Sequence, residues 1–384
     1  MPGTTAILSV AALAALSAYI VPPVRHELKV LGVGRSVVST IANANDYVRI
    51  EDTTHCEDLH YYAPANLLFT ACEDRHTRFD WFPPLGSFDP PEDGTQGSIH
   101  VIDPETFVTH GIDVIADPQA KDAVYIFAVN HYPNPEFVSS RREHIIKSNS
   151  RVELFRHVIG SSTLKHIRTI SHKLIETPND IYAVSPSEFY VTNDHRHREG
   201  LMRELEAVAP FAWSNTIHVS ITDLSAISET AGLEASIALT GTKNNNGLGH
   251  VHDFNEVTVV SAERGILYRC FADPQNKTLR IEETVHLDTR GIDLAGNTRN
   301  PSAKDPTFVW LVQRKQSSNI EKDATAEGAW EKKLVFADDG AKLRTASAAV
   351  IVGIDPKKEG GKKKGWLFAT GFMSENVVAT KIDL

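Results

Sequence analysis

Ile181-Tyr182-Ala183-Val184-Ser185-Pro186-Ser187-Glu188-Phe189-Tyr190-Val191-Thr192 reads as two short strands and the turn that joins them. β-branched and aromatic residues fill both arms, and Ser-Pro-Ser between them is turn chemistry. The same pattern recurs along the chain. Short strands are expected at Asn66 to Cys72, Ser98 to Ile102, Ala123 to Val129, Thr216 to Ile221, Glu256 to Ser261 and Gly265 to Phe271, and again at Thr307 to Val312, Lys333 to Phe336, Ala348 to Gly353 and Trp366 to Thr370. Many short strands separated by regular turns mean a sandwich, a barrel or a propeller. Length chooses among them: the 384 residues exceed what one sandwich or barrel needs, whereas six four-stranded blades of roughly 55–60 residues use them all. The expected fold is an all-β, six-bladed propeller. Leu201 to Ala209, with Leu201, Leu205 and Val208 at helical spacing, is an expected helical insertion on one face. Phe82 to Thr95 and Gln316 to Gly328 read as long surface loops.

Two units are expected, a hydrophobic leader at 1–24 and a single propeller domain at 25–384. Ala6 to Val21 is almost wholly apolar and ends at Pro22-Pro23. That run is short for a membrane span and suits a secretory signal or an uncleaved signal-anchor, so a secreted or membrane-anchored protein is expected. The Asn276-Lys277-Thr278 sequon agrees with that route. A net charge of -10 argues against nucleic acid as a partner, because phosphate binding needs a basic face. The three cysteines, Cys56, Cys72 and Cys270, allow at most one bridge and match no zinc spacing.

The chemistry points to hard oxygen ligands. Glu57-Asp58, Asn179-Asp180 and Asn244-Asn245-Asn246-Gly247 offer carboxylate and amide oxygens, the mixture calcium takes. On extended chain, neighbouring side chains point to opposite sides, so one pair can serve two ions or one ion and the scaffold behind it. Each pair alone also reads as ordinary turn or cap residues. His110, beside Gly111, and His131, at the end of the apolar run Val124 to Val129, can face a pocket at a sheet end and remove a proton from water. With 17 histidines in the chain, most must be structural. A Gly-x-Ser-x-Gly elbow, a His-Glu-x-x-His helix and a phosphate-binding Gly-x-x-x-x-Gly-Lys-Ser/Thr loop are all missing. A hydrolase built on this chain therefore has to activate water on a metal or a histidine.

Cys56-Glu57-Asp58-Leu59, His110-Gly111-Ile112, Val129-Asn130-His131, Pro178-Asn179-Asp180-Ile181, Tyr190 to His195, Ala212-Trp213-Ser214, Asn246-Gly247 and Gly365 to Thr370 follow one another in an order that resembles the serum paraoxonase/arylesterase family. The resemblance implies a six-bladed propeller with two calcium ions in a central tunnel. Glu57, Asn179 and Asn246 would hold the catalytic ion, and Asp58, Asp180 and the carbonyl of Ile112 the structural one. His110 and His131 would form the base pair, with Asp194 supporting them. It also implies hydrolysis of small lactones and aryl esters, with phosphotriesters as side substrates, and membrane or lipid association through the leader. A gluconolactonase-type sugar lactonase and a non-catalytic calcium-binding interaction module are the alternatives. Two departures stand out. The family's Asp-Asn pair, which completes the catalytic calcium site, is replaced by Asp293 and Asn297 as the candidate ligands, set apart in Gly291 to Asn297, so that either the loop is rebuilt or one ligand is lost. The family's cysteine link between the termini has no C-terminal partner here, so closure is expected to rest on strand pairing alone.

Overall fold

A computed structural model describes residues 17–19, 21–22, 24–41, 47–74, 77–89, 97–99, 109–140, 142, 144–251, 255–290, 300, 302–315 and 326–384. The leader expected at 1–24 lies for the most part outside the described residues, as do Asp293 and Asn297. Among the described residues no helix is long and apolar enough to cross a membrane.

The chain folds as an all-β propeller of antiparallel sheets. Among the described residues five sheets carry three or more strands. The first contains Asp58–Tyr62, Leu67–Glu73 and Gly97–Ser98; the second contains Thr109–Asp117, Ala120–Pro133, Ser148–Val158 and Leu164–Ile170. The third runs through Pro178–Ser185, Glu188–Asn193, Ser214–Ile221 and Leu233–Thr242, and the fourth through Asn245–His250, Glu256–Ser261, Ile266–Ala272 and Leu279–His286. Among the described residues, Thr307–Arg314 pairs with Trp330–Asp338 alone. The last sheet holds Ala346–Ile354, Lys364–Gly371 and Val377–Asp383, and Tyr47–Ile50 joins it from the other end of the chain.

That last pairing closes the ring. Tyr47 stands opposite Thr380 and Ile50 opposite Val377, so the first and last strands of the described residues are joined by strand hydrogen bonds, as expected. The single disulfide, Cys56 to Cys72, lies inside the first sheet, and Cys270 is a buried free thiol.

The opening hairpin forms as read, with Ser185 opposite Glu188 and the Ser187 amide donating to the Ser185 hydroxyl. Central strands are buried on both faces: Val124, Ile126, Phe127, Ala128 and Val129 are all fully inaccessible. This is why their sequence is a continuous apolar run and not an alternation. The largest core cluster lies between the second and third sheets, where Phe127, Leu154, Ile181, Phe189 and Ile217 interdigitate. Neighbouring blades are therefore bonded face to face by apolar burial, and their innermost strands are presented edge to edge around the axis.

One expectation changes. Phe82 is not the start of a surface loop: Trp81 and Phe82 are buried and pair with Ser87–Phe88. The Trp81 indole donates to the His131 carbonyl at 2.9 Å, which anchors this excursion over the site.

Candidate active site

The innermost strands of the first four sheets are Asp58–Tyr62, Thr109–Asp117, Pro178–Ser185 and Asn245–His250. Three aspartates stitch them together in the same way. Asp58 accepts from the amide of Leu59 at 2.7 Å and from Ile112 on the next sheet at 2.6 Å. Asp113 accepts from Val114 at 2.8 Å and from Ala183 on the third sheet at 2.7 Å. Asp180 accepts from Ile181 at 2.7 Å and from Leu248 on the fourth at 2.6 Å. Each carboxylate satisfies amides that an edge-to-edge approach would otherwise leave unpaired. The approach is close: a Cβ built on Gly111 would lie 2.4 Å from the Asn179 carbonyl oxygen and 2.6 Å from the Asp180 Cα. Glycine is required there because backbone sits against backbone.

One residue before Asp58 and one before Asp180, the chain turns its polar groups into a cleft of about 950 Å³, open to solvent. Glu57, His110, Asn179, Asp194 and Asn246 all line it. Glu57 is held by its amide to the Ala71 carbonyl at 2.9 Å, beside the Cys56–Cys72 bridge. Its Oε1 lies 3.0 Å from His110 Nε2. His110 Nδ1 lies 2.9 Å from His131 Nε2, and His131 Nδ1 lies 2.9 Å from Ser150 Oγ. The three contacts form a continuous chain, Ser150 to His131 to His110 to Glu57. It is satisfied when Ser150 donates to His131, His131 to His110 and His110 to Glu57. Phe82 stacks on the His110 ring with centroids 5.5 Å apart and fixes its plane.

The electrostatics divide sharply. Burial, and then the Glu57 charge, push the Asp58 carboxyl up to about 6. Burial, and then Asp58, push Asp180 well above the ordinary carboxylate range. Among the described residues neither carboxylate is in an ion pair. Three carboxylates thus lie near one another with amide oxygens beside them, and among the described residues Glu57 alone of the three is in an ion pair, with His110. That donor set fits hard divalent cations such as calcium. His131 is driven well below the usual histidine value, by burial first and the His110 charge second, so it stays neutral.

The expected site residues are placed as follows. Glu57, His110, Asn179 and Asn246 meet in the cleft, Asp58 and Asp180 lie behind them, and His131 backs His110. Ile112 reaches Asp58 through its amide, and the Asn246 carbonyl accepts from Thr192 Oγ1 at 2.7 Å. Asp194 lines the cleft but its carboxylate is paired with His195 Nδ1 at 3.0 Å. Burial works to raise Asp194, and is outweighed by the His195 charge and hydrogen bond, so it is held low and ionised. Sequence reading missed Phe82, Phe372, Arg203 and Arg290, which complete the walls. Arg203 was legible only as part of the helix Leu201–Val208, which forms as expected. A smaller adjoining cleft of about 400 Å³ is lined by His131, Ser150 and Asp194.

Comparison with known proteins places this geometry. Residues 96–245 match the family model described as Arylesterase, a span that includes His110, His131, Asn179, Asp180 and Asp194. The chain is 34% identical over 124 residues to serum paraoxonase/arylesterase 2 of Rattus norvegicus, covering 32% of this chain and 30% of that protein. It is 33% identical over 127 residues to serum paraoxonase/arylesterase 1 of Homo sapiens, covering 33% and 31%. The match thus spans about a third of these relatives' length. A periplasmic gluconolactonase of Pseudomonas aeruginosa is similar at 10% identity and a TM-score of 0.34, over 88% of this chain and 95% of that one, too remote to carry an argument. Residues 96–245 are thus similar to the serum paraoxonase/arylesterase family.

Proposed function

We propose that this protein is a calcium-dependent hydrolase of lactones and aryl esters, acting in the secretory pathway on a six-bladed propeller in which the pair Thr307–Arg314 and Trp330–Asp338 belongs to the sixth blade. The observation that carries the reading is the meeting of Glu57, Asn179 and Asn246 with the His110–His131 pair in one open cleft. Glu57, Asn179 and Asn246 would hold a catalytic calcium ion, and Asp58 and Asp180, with the Ile112 carbonyl, a structural one. The chemistry such an ion supplies when bound is polarisation of the substrate's carbonyl oxygen.

The chain's own residues supply the rest. Phe82, Leu85 and Phe372 give the cleft an apolar wall that suits an aryl ring or the methylenes of a lactone. In the other tautomer, with His110 Nδ1–H donating to His131 Nε2 and His131 Nδ1–H to Ser150, His110 Nε2 is free to receive a proton beside Glu57 Oε1, which stabilises the imidazolium. His110 Nδ1 meets His131 Nε2, and His131 Nδ1 meets Ser150, so a proton can be passed toward the adjoining cleft. Burial disfavours a charged His131, which makes it a relay and not a store. Asp194 holds the buried His195 and contributes negative charge near the relay.

Support for the secretory reading comes from the Cys56–Cys72 disulfide, which persists in oxidising compartments, and from the exposed Asn276 of the sequon. The leader would provide any membrane or lipid attachment.

A panel of a γ-lactone, phenyl acetate and paraoxon, assayed with calcium present, tests the activity. Turnover of the lactone or phenyl acetate is expected, and His110→Gln should reduce it by about 10²–10⁴ without changing calcium content. His131→Gln should have the smaller effect. A protein that binds calcium and turns over none of the panel is an interaction module, and the enzymatic reading then fails.

A further inference from the structure

We propose that His60, Asp113 and His250 form a second kind of metal site, for a borderline divalent transition metal such as Zn²⁺. The site is built from the innermost strands of the first, second and fourth sheets, and lies further along those strands than the carboxylates of the cleft. His60 Nδ1 is 2.9 Å from Asp113 Oδ1, and His250 Nε2 is 2.7 Å from Asp113 Oδ2. One ligand atom from each residue lies within 4.8 Å of the other two, and among the described residues this is the group of His, Cys, Asp and Glu that meets that condition.

The spacing suits coordination. Bonds of about 2.0–2.2 Å at tetrahedral or octahedral angles put neighbouring ligand atoms about 2.8–3.6 Å apart. The 2.9 Å separation falls within that range and the 2.7 Å separation reaches it with a small side-chain rotation. Each Asp113 oxygen already accepts one backbone amide, from Val114 or Ala183, and keeps a second lone pair directed at the histidine. An ion would take the place of the protons now shared in those two contacts. Ring packing sets the imidazole orientations: the Tyr182 ring lies 4.4 Å from that of His250, and the His60 and His250 rings meet edge to face at 5.8 Å.

Access is graded in a way that suits an ion arriving from solvent. The Asp113 side chain is 2% exposed, His60 19% and His250 44%, leaving an open side for entry and for water ligands. Donor chemistry separates this site from the cleft. Two imidazole nitrogens and one carboxylate favour zinc and its neighbours, whereas calcium takes oxygen. An ion here would tie three blades together at their inner edges. It is independent of the hydrolase reading, because neither histidine touches the cleft.

The test uses the full chain, stripped with chelator, reloaded with calcium and titrated with Co²⁺ alone or Zn²⁺ alone. One equivalent should bind without displacing calcium, and Co²⁺ should show visible d–d absorption from nitrogen and oxygen ligands. His250→Ala, at a half-exposed position that tolerates truncation, and His60→Ala should each weaken binding by at least about 10-fold, since even loss of an outer partner of a ligand costs that much. Calcium content and ester turnover should stay at wild-type level in both variants. Failure of calcium-loaded protein to take up either metal, or uptake that both variants leave unchanged, would overturn the proposal.

Discussion

Asp58 and Asp113 accept the same two kinds of backbone amide at nearly the same distances, the first half-buried and the second buried, yet their surroundings drive them in opposite directions. Asp58 stands beside Glu57 and near Asp180, and is pushed up to about 6. For Asp113, burial acts to raise the carboxyl and is outweighed by hydrogen bonds from His250 and His60, so it is held well below the ordinary range. Backbone geometry is thus common to both, and the charge of the neighbours decides the difference. One region is dominated by like charges, and the other carries its compensation in two imidazoles. We propose a hard ion for the first and a softer one for the second.

The sharpest way to break this comparison is to remove oxygen donors from the like-charged region. Glu57→Gln and Asn179→Ala should each lower turnover by about 10²–10³ and weaken calcium binding, because the ion they are proposed to hold would be the main electrostatic resource of the cleft. Turnover assays paired with metal counting read both effects. Turnover near wild type in both variants would remove these residues from the catalytic ion.

A smaller effect is expected behind the cleft. Asp58→Ala and Asp180→Ala should lower the melting temperature and abolish the extra stability that calcium confers through linkage. Part of the loss is independent of calcium, since each substitution strands two backbone amides at about 1–3 kcal/mol apiece. Melting curves with calcium and with EGTA separate the two parts. A calcium increment that survives in both variants would place the structural ion elsewhere.

The gentlest test is the pH dependence. Asp58 holds its proton more tightly folded than unfolded, its carboxyl lying at about 6 against 3.8. In calcium-free protein, its contribution is therefore most favourable at low pH and is lost as pH rises from about 4 through about 6. Asp113 has the opposite sign, contributing above the ordinary carboxylate value and losing that contribution as pH falls. Calcium should cancel only the Asp58 trend, so the melting-temperature gap between calcium-loaded and calcium-free protein should widen between pH 4 and 6. A gap that is constant over that interval would show that the two regions do not differ as described.

Much of the cleft was legible in the sequence because its chemistry is written in adjacent pairs. Glu57-Asp58 and Asn179-Asp180 begin innermost strands, and alternation sends one member to the cleft and the other to the scaffold. The strand pattern likewise foretold the hairpins, including Ile181 to Thr192. The Asp113 cluster was not legible, although Asp113 follows His110-Gly111-Ile112 directly. Its partners His60 and His250 come from other sheets, and no spacing in one chain announces a contact made across the axis. Phe82 was hidden for another reason: the Pro and Gly that follow it are loop residues, but the excursion folds back and buries its aromatic side chains. The separated Asp293 and Asn297 lie outside the described residues.

Calcium titration of ester turnover tests the central claim most directly. Protein stripped with EGTA and cleared of free chelator should hydrolyse phenyl acetate at a negligible rate, recover with added Ca²⁺, and carry two tightly bound ions at full activity. Undiminished turnover in protein shown to be free of calcium would contradict the account.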